Sequence, residues 1–102
     1  MSFRVTIEEE AEREFAEAVK FYDVREPGVG QRFAKELQVF FKTVCQDPGR
    51  FPFVSRLTQK AKMPAPWPYS VFFVVKHQSS EVIISALWHG SRNPRELRGR
   101  LK

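Results

Sequence analysis

Two consecutive helical segments, each with a single apolar face, constrain the fold of this chain more than any other feature. The first starts near Glu8 and places Ala11, Phe15, Ala18, Val19 and Tyr22 at helical spacing. The second covers residues 30–46 and carries the stripe Phe33, Leu37, Phe40, Phe41 and Val44. Pro27-Gly28 ends the first helix before the second begins, and two helices joined by so short a turn are predicted to form an antiparallel hairpin. Since each helix can bury only one face, both must pack on another layer, and a β-sheet is the natural one.

Four strands are predicted around this hairpin. SFRVTI (residues 2–7) alternates apolar and polar side chains, as a half-buried strand does. Arg56-Leu57 and Lys60-Ala61-Lys62-Met63 suggest a strand with alternating basic residues, and Pro64, Pro66 and Pro68 require it to end there or to lie at a sheet edge. YSVFFVVK (69–76) and VIISALWH (82–89) are rich in β-branched and aromatic residues, and the polar turn 77–81 joins them as a hairpin.

The predicted element order is therefore β-α-α-β-β-β. It defines an α+β fold with a largely antiparallel sheet and the helical hairpin packed on one face. The length of 102 residues fits one domain over residues 1–102. Asn93-Pro94 has the form of a helix N-cap followed by proline at the first helical position. It predicts a short basic helix or a frayed tail over residues 93–102.

Charge is distributed unevenly along the chain. Residues 1–26 hold four basic and eight acidic side chains, a net charge of −4, whereas residues 27–102 hold thirteen basic and four acidic ones, a net charge of +9. A positively charged surface attracts nucleic acid or an acidic protein partner. The alternative is that these basic side chains form an ordinary solvated face with no partner.

Several classes of protein are excluded by what the sequence lacks. It has no apolar run long enough to cross a membrane and no signal-peptide pattern, and its single cysteine, Cys45, cannot form an internal disulfide. A cytoplasmic location is the expectation. There is also no glycine-rich phosphate loop, no metal-ligand spacing and no nucleophile elbow, so neither a cofactor nor a metal is expected.

The candidate chemistry lies in SALWHGSRNP (85–94), where the last strand ends. His89 closes that strand and Gly90 lets the chain bend away, whereas His77 lies in a polar turn and is expected to be exposed. Lys60 and Lys62 point to one side of their strand, and we expect them to gather with Ser70, His89 and Arg92 near the sheet face that the helices leave free. Such a cluster suits a phosphodiester and a metal-independent attack by a ribose 2′-hydroxyl.

Each of these residues also has a structural interpretation. His89 serves equally well as a plug at the end of a strand, and the two lysines can protect a sheet edge from pairing. Tyr69 belongs to the core pattern Tyr69, Val71, Phe73, Val75, and packing is a stronger interpretation than base stacking. Trp88 and His89 must point to opposite sides of their strand. The sequence leaves open which of the two faces the helices.

The chain resembles the RelE/ParE toxins of bacterial toxin–antitoxin systems over nearly its full length. The resemblance rests on the element order and on three segments: QDPGRFP, WPYSVFFVV and VIISALWHGSRNP. It implies a cytoplasmic growth-inhibiting toxin, as in plasmid stabilization modules, with a cognate antitoxin protein as its partner. It also implies either a RelE-like endoribonuclease that cuts mRNA on the ribosome or a ParE-like protein that poisons DNA gyrase without being an enzyme.

The resemblance assigns roles to particular residues. In the RelE-like alternative His89, Arg92, Lys60 and Lys62 form the catalytic set, whereas target contact falls to Arg92, Arg95, Arg98 and Tyr69. Ser70 stands where an arginine is common, and no tyrosine follows Pro94, so the ending HGSRNP looks more ParE-like. A ParE-like toxin is therefore preferred. The RelE-like nuclease and a non-toxic partner-binding module remain as alternatives.

Overall fold

The computed structural model describes residues 3–101, and the predicted elements appear in the predicted order. The elements are β1 Arg4–Ile7, α1 Glu9–Arg25, α2 Val29–Gln46, β2 Thr58–Lys62, β3 Tyr69–Lys76 and β4 Glu81–His89, followed by a 3₁₀ segment Pro94–Arg100. Ser2, in the predicted first strand, and Lys102, in the predicted tail, lie outside the described residues. Among residues 3–101, no helix is both long and apolar enough to cross a membrane.

The four strands form one sheet in the order β1-β4-β3-β2. β2 pairs with β3 and β3 with β4 in antiparallel register, while β1 pairs with β4 in parallel. The predicted α+β fold with a largely antiparallel sheet is confirmed. β2 lies at an edge and ends before the proline cluster, as expected of a strand whose continuation lacks backbone N–H donors.

Both helices pack on one face of the sheet, and their apolar stripes supply most of the core. Phe33 and Val44 of α2 are fully buried, and they join Val71 and Phe73 of β3 in a single cluster. The predicted hairpin is held where the helices meet by Asp23 of α1, whose Oδ1 accepts a hydrogen bond of 2.8 Å from the Gly30 N–H. Cys45 is buried in this core, and burial raises the pKa of its thiol.

A bulge in β4 sets which side chains reach which face. Phe72 pairs with Ala86 but Phe73 pairs with Ile84, so Ser85 is the extra residue. Ile84 and Leu87 therefore both belong to the helix-side core. The bulge fixes the orientation of the last residues of β4, which the sequence left open.

The second face of the sheet has its own smaller core. Phe72, Ala86 and Trp88 lie there, covered by Leu97 and Leu101 of the C-terminal chain. The predicted short helix at the C-terminus is therefore a 3₁₀ segment that packs on the sheet. The Asn93 side chain caps it, as expected, by accepting a hydrogen bond of 3.0 Å from the Arg95 N–H.

Candidate functional site

His89 lies on the helix side of the sheet, beside Tyr69. The two residues are cross-strand partners, and their rings meet edge to face with centroids 5.1 Å apart. Tyr69 also contacts Tyr22 and Phe33, so it packs against the core while half-buried, and burial raises the pKa of its hydroxyl. A small recess at this end of the sheet is lined by Tyr69, His89, Leu87 and Arg92 together with Glu14, Glu17, Ala18 and Phe21 of α1.

The following turn fixes the tautomer of His89. Its Nδ1 accepts a hydrogen bond of 3.0 Å from the Ser91 backbone N–H and lies 2.8 Å from the Ser91 hydroxyl oxygen. Because a backbone N–H can only donate, the neutral ring must carry its proton on Nε2. In this conformation His89 offers a hydrogen-bond donor and has no free nitrogen to act as a general base.

Lys60 and Lys62 lie on the opposite face of the sheet from His89. They pair with Phe72 and Ser70 across β2 and β3, and the Lys60 Nζ lies 5.9 Å from the centroid of the Phe72 ring. Paired residues share a face, and residues next to each other in a strand alternate. The expected gathering of the two lysines with His89 on one face is therefore wrong, although Lys60, Lys62 and Ser70 do lie together.

Arg92 is held at the end of β4. Its guanidinium carbon lies 3.8 Å from the centroid of the Trp88 ring. Its Nε is 3.1 Å from a Glu96 carboxylate oxygen, and its Nη1 is 3.6 Å from Glu14. Trp88 is buried on the face opposite the helices, so both residues of the pair Trp88 and His89 are packed to some degree. Arg92 is half exposed and already partnered.

An ion pair between Arg100 and Glu14, which the sequence did not predict, joins the C-terminal segment to α1. We call this contact the latch. Arg100 makes two hydrogen bonds of 3.0 and 3.1 Å to the Glu14 carboxylate and one of 2.7 Å to the Ser85 carbonyl. Glu14 in turn accepts a bond of 3.1 Å from the Leu87 N–H. Hydrogen bonding to Glu14 is the main cause that raises the pKa of Arg100. The carboxylates that pair with Arg100 belong to α1, which is far from Arg100 in the sequence. No local sequence pattern therefore predicts this pairing.

The other predicted contact residues are simply exposed. Arg95 and Arg98 project from the C-terminal 3₁₀ segment, and His77 is exposed in its turn, as expected. Within the described part of the chain, no group of three or more histidine, cysteine or acidic side chains is arranged to hold a metal ion.

A second candidate surface is a groove of about 1370 Å³ beside β1. Its apolar walls come from both helices and from β1, and they include Phe15, Val19, Leu37, Phe41, Val5 and Ile7. β1 is an edge strand, paired only with β4, and its Val5 is 42% exposed. An apolar groove next to an unpaired strand edge suits an extended or helical segment of a partner protein.

No protein-family model and no curated protein matches this sequence. Solved structures do. The ParDE toxin–antitoxin system of P. aeruginosa superposes with a TM-score of 0.74 at 16% identity, covering 86% of this chain and 96% of that one. The RelBE2 toxin–antitoxin complex of Mycobacterium tuberculosis gives 0.65 at 16% identity, with coverage of 87% and 99%. A mutant E. coli RelE toxin in the free state gives 0.65 at 14% identity, with coverage of 98% and 94%.

This chain has the RelE/ParE toxin fold. The agreement extends over most of the chain. The fold implied by the sequence resemblance is thus confirmed. RelE/ParE toxins of either activity share this architecture, so activity must be argued from the site.

Proposed function

We propose that this chain is the toxin of a type II toxin–antitoxin module and that a cognate antitoxin protein neutralises it. The observation that carries the proposal is the match over at least 86% of the chain to structures from the ParDE, RelBE2 and RelE systems. The apolar groove beside β1 supports the antitoxin half of the proposal, because an open surface of this kind needs a partner to cover it.

The preferred target is DNA gyrase, as for a ParE-like toxin. Two features of the site favour this over RNA cleavage. His89 presents an N–H rather than a free base nitrogen, and Lys60 and Lys62 lie on the other face of the sheet from it. A metal-free nuclease needs a general base and a cationic group that both reach the same phosphodiester. These residues do not supply that arrangement together.

A RelE-like endoribonuclease is the second candidate. Lys60, Lys62 and Ser70 share one face, and the two exposed lysines of this strand suit the phosphates of RNA. In this alternative Arg92 completes the catalytic set with the two lysines. Arg95 and Arg98, being exposed, are contact residues for either target.

Inducible expression tests the proposal, and any short open reading frame found beside the gene is the candidate antitoxin. We expect growth to stop on induction and to resume when the antitoxin is co-expressed. DNA-damage signalling with intact transcripts is expected for a gyrase poison, whereas cleavage of transcripts at codon boundaries would establish the RelE-like alternative. Normal growth at full expression would leave only a non-toxic partner-binding module.

A further inference from the structure

The segment between α2 and β2 exposes three large apolar side chains. Phe53 is 63% exposed, Leu57 46% and Val54 43%, and all three belong to one five-residue stretch. We call Phe53, Val54 and Leu57 the apolar tip. Scattered apolar residues are normal on protein surfaces, but three exposed ones within five residues concentrate apolar surface in one segment, and partner proteins cover surfaces of this kind.

The apolar tip is held rigidly. Gln59, which is buried, donates hydrogen bonds of 2.7 and 2.9 Å to the carbonyls of Pro48 and Phe51 at the base of the segment. The Lys60 N–H donates to the Pro52 carbonyl at 2.9 Å, and the Val54 N–H to the Thr58 carbonyl at 2.9 Å. The tip is thus ordered before any partner binds, and the entropy cost of binding is correspondingly small.

The charged residues between Pro48 and Ser80, on both sides of the apolar tip in the sequence, have one sign. No aspartate or glutamate occurs between Pro48 and Ser80, whereas this stretch contains Arg50, Arg56, Lys60, Lys62 and Lys76. Arg50 precedes the tip, Arg56 lies between Val54 and Leu57, and both are exposed. An apolar centre with a cationic rim is complementary to an apolar recess with an acidic rim.

We propose that the apolar tip is the surface with which this toxin binds its protein target, and that the target presents an acidic surface with an apolar recess. The inference rests on the proposed toxin function and adds where the target is contacted. Nucleic acid fits the tip less well, since Phe53 alone of the three tip residues has a ring on which a base could stack. A lipid bilayer also fits less well, because burying Val54 and Leu57 would draw Arg56 toward hydrocarbon.

The experiment compares the double variant Phe53→Ser and Leu57→Ser with the wild type. Val39→Ser is the matched control, because Val39 is 62% exposed on α2 and lies far from the tip in sequence. We expect the tip variant to need about tenfold more protein for half-maximal growth inhibition, as loss of an interface anchor does. Its thermal unfolding and its affinity for the antitoxin should equal those of the wild type, and Val39→Ser should remain fully toxic.

Each other outcome overturns the inference. Undiminished toxicity of the tip variant would show that the target is contacted elsewhere, while a parallel loss of antitoxin affinity would place the tip in the antitoxin interface. Tip-dependent binding of the wild type to vesicles of phosphatidylcholine and phosphatidylglycerol would identify a membrane surface instead. A wild type that fails to inhibit growth would overturn the proposed function as well, which distinguishes the two failures.

Discussion

At the scale of single residues, Gly30 decides how closely the two helices approach. A Cβ at this position would lie 2.3 Å from the Val19 carbonyl oxygen and 2.6 Å from Cγ of Asp23. The absence of a side chain lets Asp23 Oδ1 accept hydrogen bonds from the N–H groups of both Gly28 and Gly30. Since those donors would otherwise lack partners inside α2, Asp23 acts as its N-terminal cap from the neighbouring helix.

Gly30→Ala should therefore destabilise the protein, although alanine is the better helix former. The added methyl group must push α1 and α2 apart against a backbone carbonyl, and overpacking of this kind costs about 1–3 kcal/mol. The free energy of unfolding in urea measures the effect. Gly99→Ala is the control, because nothing lies within 4 Å of a Cβ there. Equal stability of the two variants would contradict the prediction.

At the scale of elements, β1 is shorter than the strand it pairs with. Its partners in β4 end at Ile84, so the edge of β4 from Ser85 onward has no strand beside it. Glu14 accepts from the Leu87 N–H and Arg100 donates to the Ser85 carbonyl, so two side chains complete the edge in place of a strand. The same ion pair holds the C-terminal segment over Trp88, whose Nε1 is buried and has no hydrogen-bond partner among residues 3–101.

Arg100→Leu should release the C-terminal segment from the sheet. Only 24% of the Arg100 side chain is exposed, and hydrogen bonds to charged groups at such sites contribute about 1–3 kcal/mol to stability. We expect the variant to unfold at lower urea concentration and the Leu101 amide, which donates to the Arg98 carbonyl, to exchange faster with solvent. Arg98→Leu is the control, since Arg98 is exposed. Unchanged exchange at Leu101 would argue against the latch.

At the scale of the whole molecule, the candidate antitoxin groove and the apolar tip are formed by different parts of the chain. The groove is lined by β1 and the two helices, whereas the tip follows α2 and is anchored to β2. Half of the acidic side chains belong to α1, and the basic ones dominate from Pro27 onward. One molecule can therefore present differently charged surfaces to an antitoxin and to a target.

Ala16→Glu should weaken antitoxin binding without reducing toxicity. Ala16 is exposed in the wall of the groove, and a carboxylate there would be desolvated by any apolar segment that docked. We expect the dissociation constant for the antitoxin, measured by calorimetry, to rise by about tenfold or more. Lys35→Glu, which changes the charge of α2 outside the groove lining, should leave it nearly unchanged. Equal binding by the two variants would place the antitoxin elsewhere.

Much of the fold was predictable because its signals are local. The spacing of the phenylalanines in α2, the break at Pro27-Gly28 and the alternation in β3 each depend on a few neighbouring residues. Asn93 as a cap and the prolines after Lys62 as a strand end are local in the same sense. The resemblance to RelE/ParE toxins could also be recognised from the sequence, since it depends on the order of these segments.

The sequence by itself determined the elements, their order and the layer that the helices cover. Only the tertiary structure decided the arrangement of the candidate site. The bulge at Ser85 oriented Trp88 and His89, and the β2–β3 register placed Lys60 and Lys62 on the face opposite His89. Tertiary packing also brought Arg100 into contact with Glu14, from which it is separated by most of the sequence. Side chains on separate elements meet only when the elements pack, and no periodicity within one segment encodes that contact.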